Sequence, residues 1–256
     1  MSLYHETDGQ PDGTALVLLH PLGANLRFWD RCRALWAGRR RVVAYDRPGA
    51  GQSPAPPSPQ TLAESVADLD ALCEQLGLDS VVPVGVAIGA MIAAAYAARH
   101  PQRVAAAVLC NPATGLSEAG RAMTLARVQR AREGGVAALL PDIVDRAFHG
   151  LPQDAGYARY VEAFRGNDPI GYERNALGAL DIDVTADLGR IRCPALVAVG
   201  RAGRAVPTQR RAGRGATAPT CDLSGIARRR AFSALPDTGR VYRGGRRLPR
   251  YCVVMS

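Results

Sequence analysis

The chain has 256 residues, 47% of them hydrophobic, enough for one large domain with a full core or one domain carrying an insertion. Its net charge of +9 is unevenly spread: residues 201–256 hold thirteen Arg against two acids, Asp222 and Asp237, while the first 200 residues sum to −2. A mildly acidic body with a basic tail, few aromatics to stack bases and no recognition motif argues against a specific nucleic-acid partner.

The elements follow in chain order. The opening "MSLYHETDGQ" lacks the basic start and apolar run of a secretory signal. "TALVLLH" (14–20) predicts a short buried strand running into the polar loop "HPLGANLRFW", and "RVVAYD" (41–46) a second strand followed by "RPGAGQSP". "TLAESVADLDALCEQLGL" (61–78) has apolar residues at helical spacing. "SVVPVG" (80–85) predicts a buried strand, and "AIGAMIAAAYAARH" (87–100) a small-residue helix stopped near Pro101. "VAAAVLCNP" (104–112) and "CPALVAVG" (193–200) predict further buried strands. Short apolar strands alternating with helices predict a parallel sheet covered on both faces. About 80 residues with helical periodicity separate the last two strands, in the form of a lid. The longest apolar stretches, near Ala15–Leu19 and Ala90–Ala98, are too short to span a membrane, so a cytoplasmic protein without membrane contact is expected. Six scattered cysteines, with no CxxC pair and no His at zinc spacing, predict buried thiols and no metal site.

Residues 85–89, Gly85-Val86-Ala87-Ile88-Gly89, have the Gly-x-?-x-Gly frame of a nucleophile elbow, with Ala87 where Ser, Cys or Asp would stand. Four stretches in order resemble the α/β-hydrolase family over residues 1–200, nearest to enol-lactonases and related ester and lactone hydrolases. They are "LLHPLGANLRFWD", "VVAYDRPGAGQSP", "VVPVGVAIGAMIAAAYAARHPQRV", and "VLCNPA" leading into a helical lid. The resemblance implies an α/β fold, a mostly parallel doubly wound sheet with a helical lid. It divides the chain into a first core part (1–114), a lid (115–188), a core strand (189–200) and an arginine-rich tail (201–256). It also implies an oxyanion hole from the amides of Leu22 and Ile88, with Gly85 and Gly89 clearing space around the elbow. No cofactor is implied, and the partner would be a small ester or lactone.

The rest of the triad is missing as written. The acid expected three residues past Gly200 falls on Gly203, and the alternative position after the preceding strand is Asn111. The His expected in the tail falls near Ala231, and no His follows His149, which lies in the lid. His20 belongs to the oxyanion loop and precedes the elbow.

The tail "RAGRAVPTQRRAGRGATAPTCDLSGIARRR…" carries no clear periodicity and stands where the fold needs its final strand and helix, which are expected to be missing. All 32 basic residues are Arg, which points to a GC-rich gene, and such genes give Arg-rich text when read out of frame. Skipping one base after Gly200 permits Asp over Gly203, Leu-Pro-Asp-Ala-Gly-His-Ser-Pro over Ile226–Ser233, and a stop near Val254. A frameshift near residue 200 is therefore expected, with a disordered tail. Ala87 lies upstream of that break and needs its own origin. Three functions stay open: a dead or reduced hydrolase, a non-enzymatic ligand-binding or interaction protein, and a lyase or isomerase drawing on His149 or lid acids.

Overall fold

The computed structural model describes residues 2–148, 153–199 and 251–255. Six strands come from the body: β1 (His5–Asp8), β2 (Ala15–Leu19), β3 (Val42–Tyr45), β4 (Val81–Val86), β5 (Ala107–Cys110) and β6 (Ala195–Val199). With β7 (Tyr251–Met255) they form one sheet in the order β1-β3-β2-β4-β5-β6-β7. Among the described residues only the β1–β3 pair is antiparallel. Strands β2 and β4 are buried along their whole length, as expected where helices cover both faces of a parallel sheet.

Two apolar clusters flank the sheet. One joins Val17, Leu19, Val43 and Tyr45 to helices α2 (Leu62–Gln75) and α3 (Ile88–Arg99). The other joins Leu16, Leu18, Val42 and Ala44 to Trp29 and Trp36 at α1 (Asp30–Trp36). The period-two alternation along β2 and β3 sends successive side chains to opposite clusters. Helix α3 is an apolar cylinder of Ala, Ile and Met, buried almost throughout and laid closely against β4. Helix α2 starts on a capping box, Thr61 accepting from the Glu64 amide while Glu64 accepts from the Thr61 amide.

Between β5 and β6 the chain forms α4 (Glu118–Gly134), α5 (Leu140–Ala147), α6 (Ala155–Arg165), α7 (Pro169–Ala179) and α8 (Thr185–Leu188). Helices α4 to α7 and the 3-10 turn Val136–Leu139 build a third cluster around Val128, Leu139, Phe164 and Tyr172. A bridge between Gly115 and Asp183 closes the base of this insertion. Among the described residues no helix is long and apolar enough to cross a membrane.

The far edge of the sheet differs from the sequence expectation of a missing final strand. Tyr251–Met255 runs parallel to β6, Ala195 opposite Tyr251 and Val199 opposite Met255. "YCVVM" is a short apolar, β-branched run of the kind that suits an open sheet edge, and the arginines around it hide that signal. Of the tail predicted to be frameshifted and disordered, 251–255 are described and form this strand; residues 201–250, where the helix expected to be missing would fall, lie outside the described residues.

Candidate functional site

Strand β4 runs straight into α3 through Ala87, whose backbone is turned to φ 52° and ψ −115°. A residue with a Cβ is strained there, at a cost on the order of 1–3 kcal/mol. Neighbouring backbone holds the turn: the Ala87 amide donates to the Cys110 carbonyl at 3.0 Å, and the Ala87 carbonyl accepts from Ala90 and Met91 at 2.9 and 3.1 Å. The two flanking glycines are required by space. A Cβ on Gly85 would lie 2.2 Å from the Gly89 carbonyl oxygen, and one on Gly89 would lie 2.3 Å from that of Leu19. The strand–turn–helix is therefore packed backbone against backbone, with the Ala87 methyl at its apex. A methyl has no lone pair to offer a carbonyl carbon.

Ile88 opens α3, so its amide is among those a helix leaves without an internal carbonyl, at the positive end of its dipole. Leu22 sits in the loop after β2 and packs against both the sheet cluster and the insertion cluster. Elbow and loop meet at the carboxyl ends of β2 and β4, where open α/β sheets bind ligands.

His20 fixes that loop. It is fully buried, its Nε2 accepts from the Arg47 amide at 3.0 Å and its Nδ1 faces the Pro21 carbonyl at 2.9 Å. An amide can only donate and a carbonyl only accept, so the proton sits on Nδ1 and the ring is neutral. Burial and the nearby Arg47 charge push its pKa down to about 3. With both nitrogens engaged, His20 is a rivet between two loops and has no free nitrogen to act as a base. Asp46 is a second rivet, taking the amides of Leu26 at 2.7 Å and Gln52 at 2.8 Å, with burial raising its pKa. Asn167, between α6 and α7, is a third: its Nδ2 donates to the Gly23 carbonyl at 2.7 Å and to that of Phe164 at 3.0 Å. Asn175 of α7 donates to the Pro48 carbonyl at 2.6 Å.

Of the residues expected from sequence, the fold brings Leu22, Gly85, Ala87, Ile88 and Gly89 to the carboxyl ends of the central strands. Asn111 follows β5 at the same end, in a left-handed conformation (φ 47°), its amide donating to the Ala198 carbonyl. Gly203, Ala231 and His149 lie outside the described residues. Sequence reasoning missed the work of Arg47, Asn167 and Asn175, because each acts on backbone or on burial far away in the chain. Among the described residues no cluster of three His, Cys, Asp or Glu is placed to hold a metal.

Residues 14–210 match the α/β-hydrolase fold family. The chain is 28% identical over 218 residues to 3-oxoadipate enol-lactonase 2 of Acinetobacter baylyi, covering 78% of this chain and 75% of that protein. It is 34% identical over 209 residues to a pimeloyl-[acyl-carrier protein] methyl ester esterase of Chromobacterium violaceum, covering 78% and 79%. The crystal structure of an enol-lactonase from Burkholderia xenovorans superposes with a TM-score of 0.74 at 27% identity, over 80% of each chain.

Proposed function

As the chain belongs to the α/β-hydrolase fold family, related to enol-lactonases and esterases, we propose that it keeps the binding apparatus of an ester or lactone hydrolase without the covalent step. The observation that carries this reading is Ala87, held in the strained backbone of an elbow with only a methyl at its apex. In the parent chemistry a Ser at that point attacks the carbonyl, a His takes its proton, an acid orients the His, and two amides hold the oxyanion. This chain keeps the loops bearing the amides of Leu22 and Ile88, under a helical insertion that serves as the lid. It binds a small ester or lactone there and is hydrolytically dead or strongly reduced. The acid and His belong to the reading frame lost near residue 200, as the codon register permits.

Losing a whole triad costs roughly 10⁶-fold in kcat and leaves about 10³–10⁴ over water. The chain and its Ala87→Ser variant are assayed with p-nitrophenyl acetate and an enol-lactone. Both are expected to stay at that residual level, because a Ser without a base is a weak nucleophile. Restoring the reading frame together with Ala87→Ser is expected to bring turnover back. Triad-level turnover by the unaltered chain would sink the proposal, and recovery in Ala87→Ser alone would place a base within residues 1–200.

A further inference from the structure

A pocket of about 120 Å³ lies beside the first turns of α2, and none of Leu22, Ala87, Ile88 or Asn111 lines it. Its buried lining is Pro48, Pro56 and Gln60. Pro57, Ser58 and Glu64 are its exposed lining, and Asp68 is half-buried. Helix α7 holds the buried part in place. Asn175 donates to the Pro48 carbonyl at 2.6 Å, and Arg174 donates to that of Pro56. A Cβ on Gly178 would lie 2.1 Å from the Gln60 carbonyl oxygen, so the helix rests directly on that backbone. The pocket is built before any ligand arrives, which lowers the entropy cost of binding.

Its polar lining is a set of acceptors without a cation. Glu64 and Asp68 stand one turn apart on one face of α2, and among the described residues neither makes an ion pair. The Glu64 Oε2 accepts from the Thr61 amide at 2.8 Å and its hydroxyl at 2.7 Å, which holds the carboxyl below its ordinary pKa and ionised. Asp68 accepts from the Gln60 Nε2, and burial raises its pKa, as expected of a carboxylate with no paired cation. Gln60 is 6% exposed, and its Oε1 has no hydrogen-bond partner. A buried acceptor without a donor is costly until something supplies one.

We propose that this pocket binds a small primary alkylammonium ion, a site separate from the ester or lactone reading. An ammonium has three N–H donors, matched by Asp68, Glu64 and the Gln60 side-chain oxygen, and the prolines receive its alkyl chain. A cavity on the order of 150 Å³ takes a benzene, so about four heavy atoms fit here, the size of propylammonium. A metal ion matches less well. Calcium and magnesium want about six oxygens or more, and the Pro48 and Pro56 carbonyls are already taken by α7.

The test follows the backbone amides and the Gln60 side-chain amide of the nitrogen-15-labelled full chain by NMR, at pH 7 and matched ionic strength. Propylammonium chloride is expected to shift the Gln60 side-chain amide and the Ser58, Glu64 and Asp68 backbone amides along one saturable curve. Propan-1-ol, which lacks the charge, and tetramethylammonium, which lacks N–H donors, are expected to leave them in place. Asp68→Asn and Glu64→Gln are each expected to weaken binding by about tenfold or more, through loss of a charge-assisted hydrogen bond. If Asp68→Asn fails to fold, Glu64→Gln decides, since Gln at that position keeps the capping box. No saturable shift, an equal shift with tetramethylammonium, or unchanged affinity in the variants overturns the proposal. Tighter binding of magnesium, calcium or methylguanidinium at the same amides also overturns it, by assigning the pocket to a metal or a guanidinium.

Discussion

At the scale of single residues, the site is held by polar groups whose partners are backbone, and His20 shows what such a group does to stability. The ring is neutral in the fold with a pKa near 3, against an ordinary value near 6.5. Below pH 6.5 the unfolded chain takes a proton on this residue that the folded chain refuses. Its contribution to stability is therefore complete above about pH 6.5 and is lost progressively as pH falls toward 3. Over that window the loss is on the order of 4 kcal/mol, a large share of a total stability of roughly 5–15 kcal/mol. Urea unfolding between pH 7 and pH 4 is expected to show this fall. His20→Ala is expected to cost about 2–4 kcal/mol at pH 7, through two lost hydrogen bonds and a cavity, and to flatten the acid limb. A parent protein as stable at pH 4 as at pH 7 would show that the imidazole is not buried neutral.

At the scale of elements, Asn167 joins the insertion to the loop after β2, because one amide nitrogen reaches the carbonyls of Gly23, Ala163 and Phe164. Asn167→Ala removes the side-chain donor of the Gly23 carbonyl, while the Phe164 carbonyl still accepts from the backbone amide of residue 167, at a cost of about 1–3 kcal/mol. We expect a lower urea midpoint and faster amide exchange in residues 22–24, with α2 unchanged; equal midpoints would mean that the two parts are held by apolar packing alone. The helices themselves were legible: 61–78 became α2 and 87–100 became α3, since apolar spacing and a capping box are local signals. Strands β2 to β6 were legible as unbroken apolar runs. The polar strand β1 was not, because "HETD" pairs at an edge by backbone alone. Nor was α1, whose Cys32, Arg33 and Trp36 turn inward only once Trp29 and β3 supply a surface. The elbow was visible because glycine spacing is written in the chain. The rivets on His20 and Arg47 were not, since they depend on partners 27 residues apart.

At the scale of the whole molecule, the sheet closes on a segment that composition misrepresents. Five residues from the end of an Arg-rich tail extend the sheet beyond β6 in parallel register. Backbone hydrogen bonds contribute about 1 kcal/mol net each, whereas ordering a residue costs about 1–2 kcal/mol. Five paired residues therefore add little to global stability, and removing 251–256 is expected to change the Tm by no more than about 3 °C. What β7 does change is exposure. Without it β6 becomes an edge of apolar residues, "ALVAV", with a row of unpaired amides and carbonyls and no charge to discourage docking by another chain. The chain cut after residue 250 is expected to scatter light and sediment as oligomers, increasingly with protein concentration, at temperatures where its circular dichroism still matches the parent. A truncated chain that stays monomeric under those conditions would mean that β7 does not guard the edge of β6.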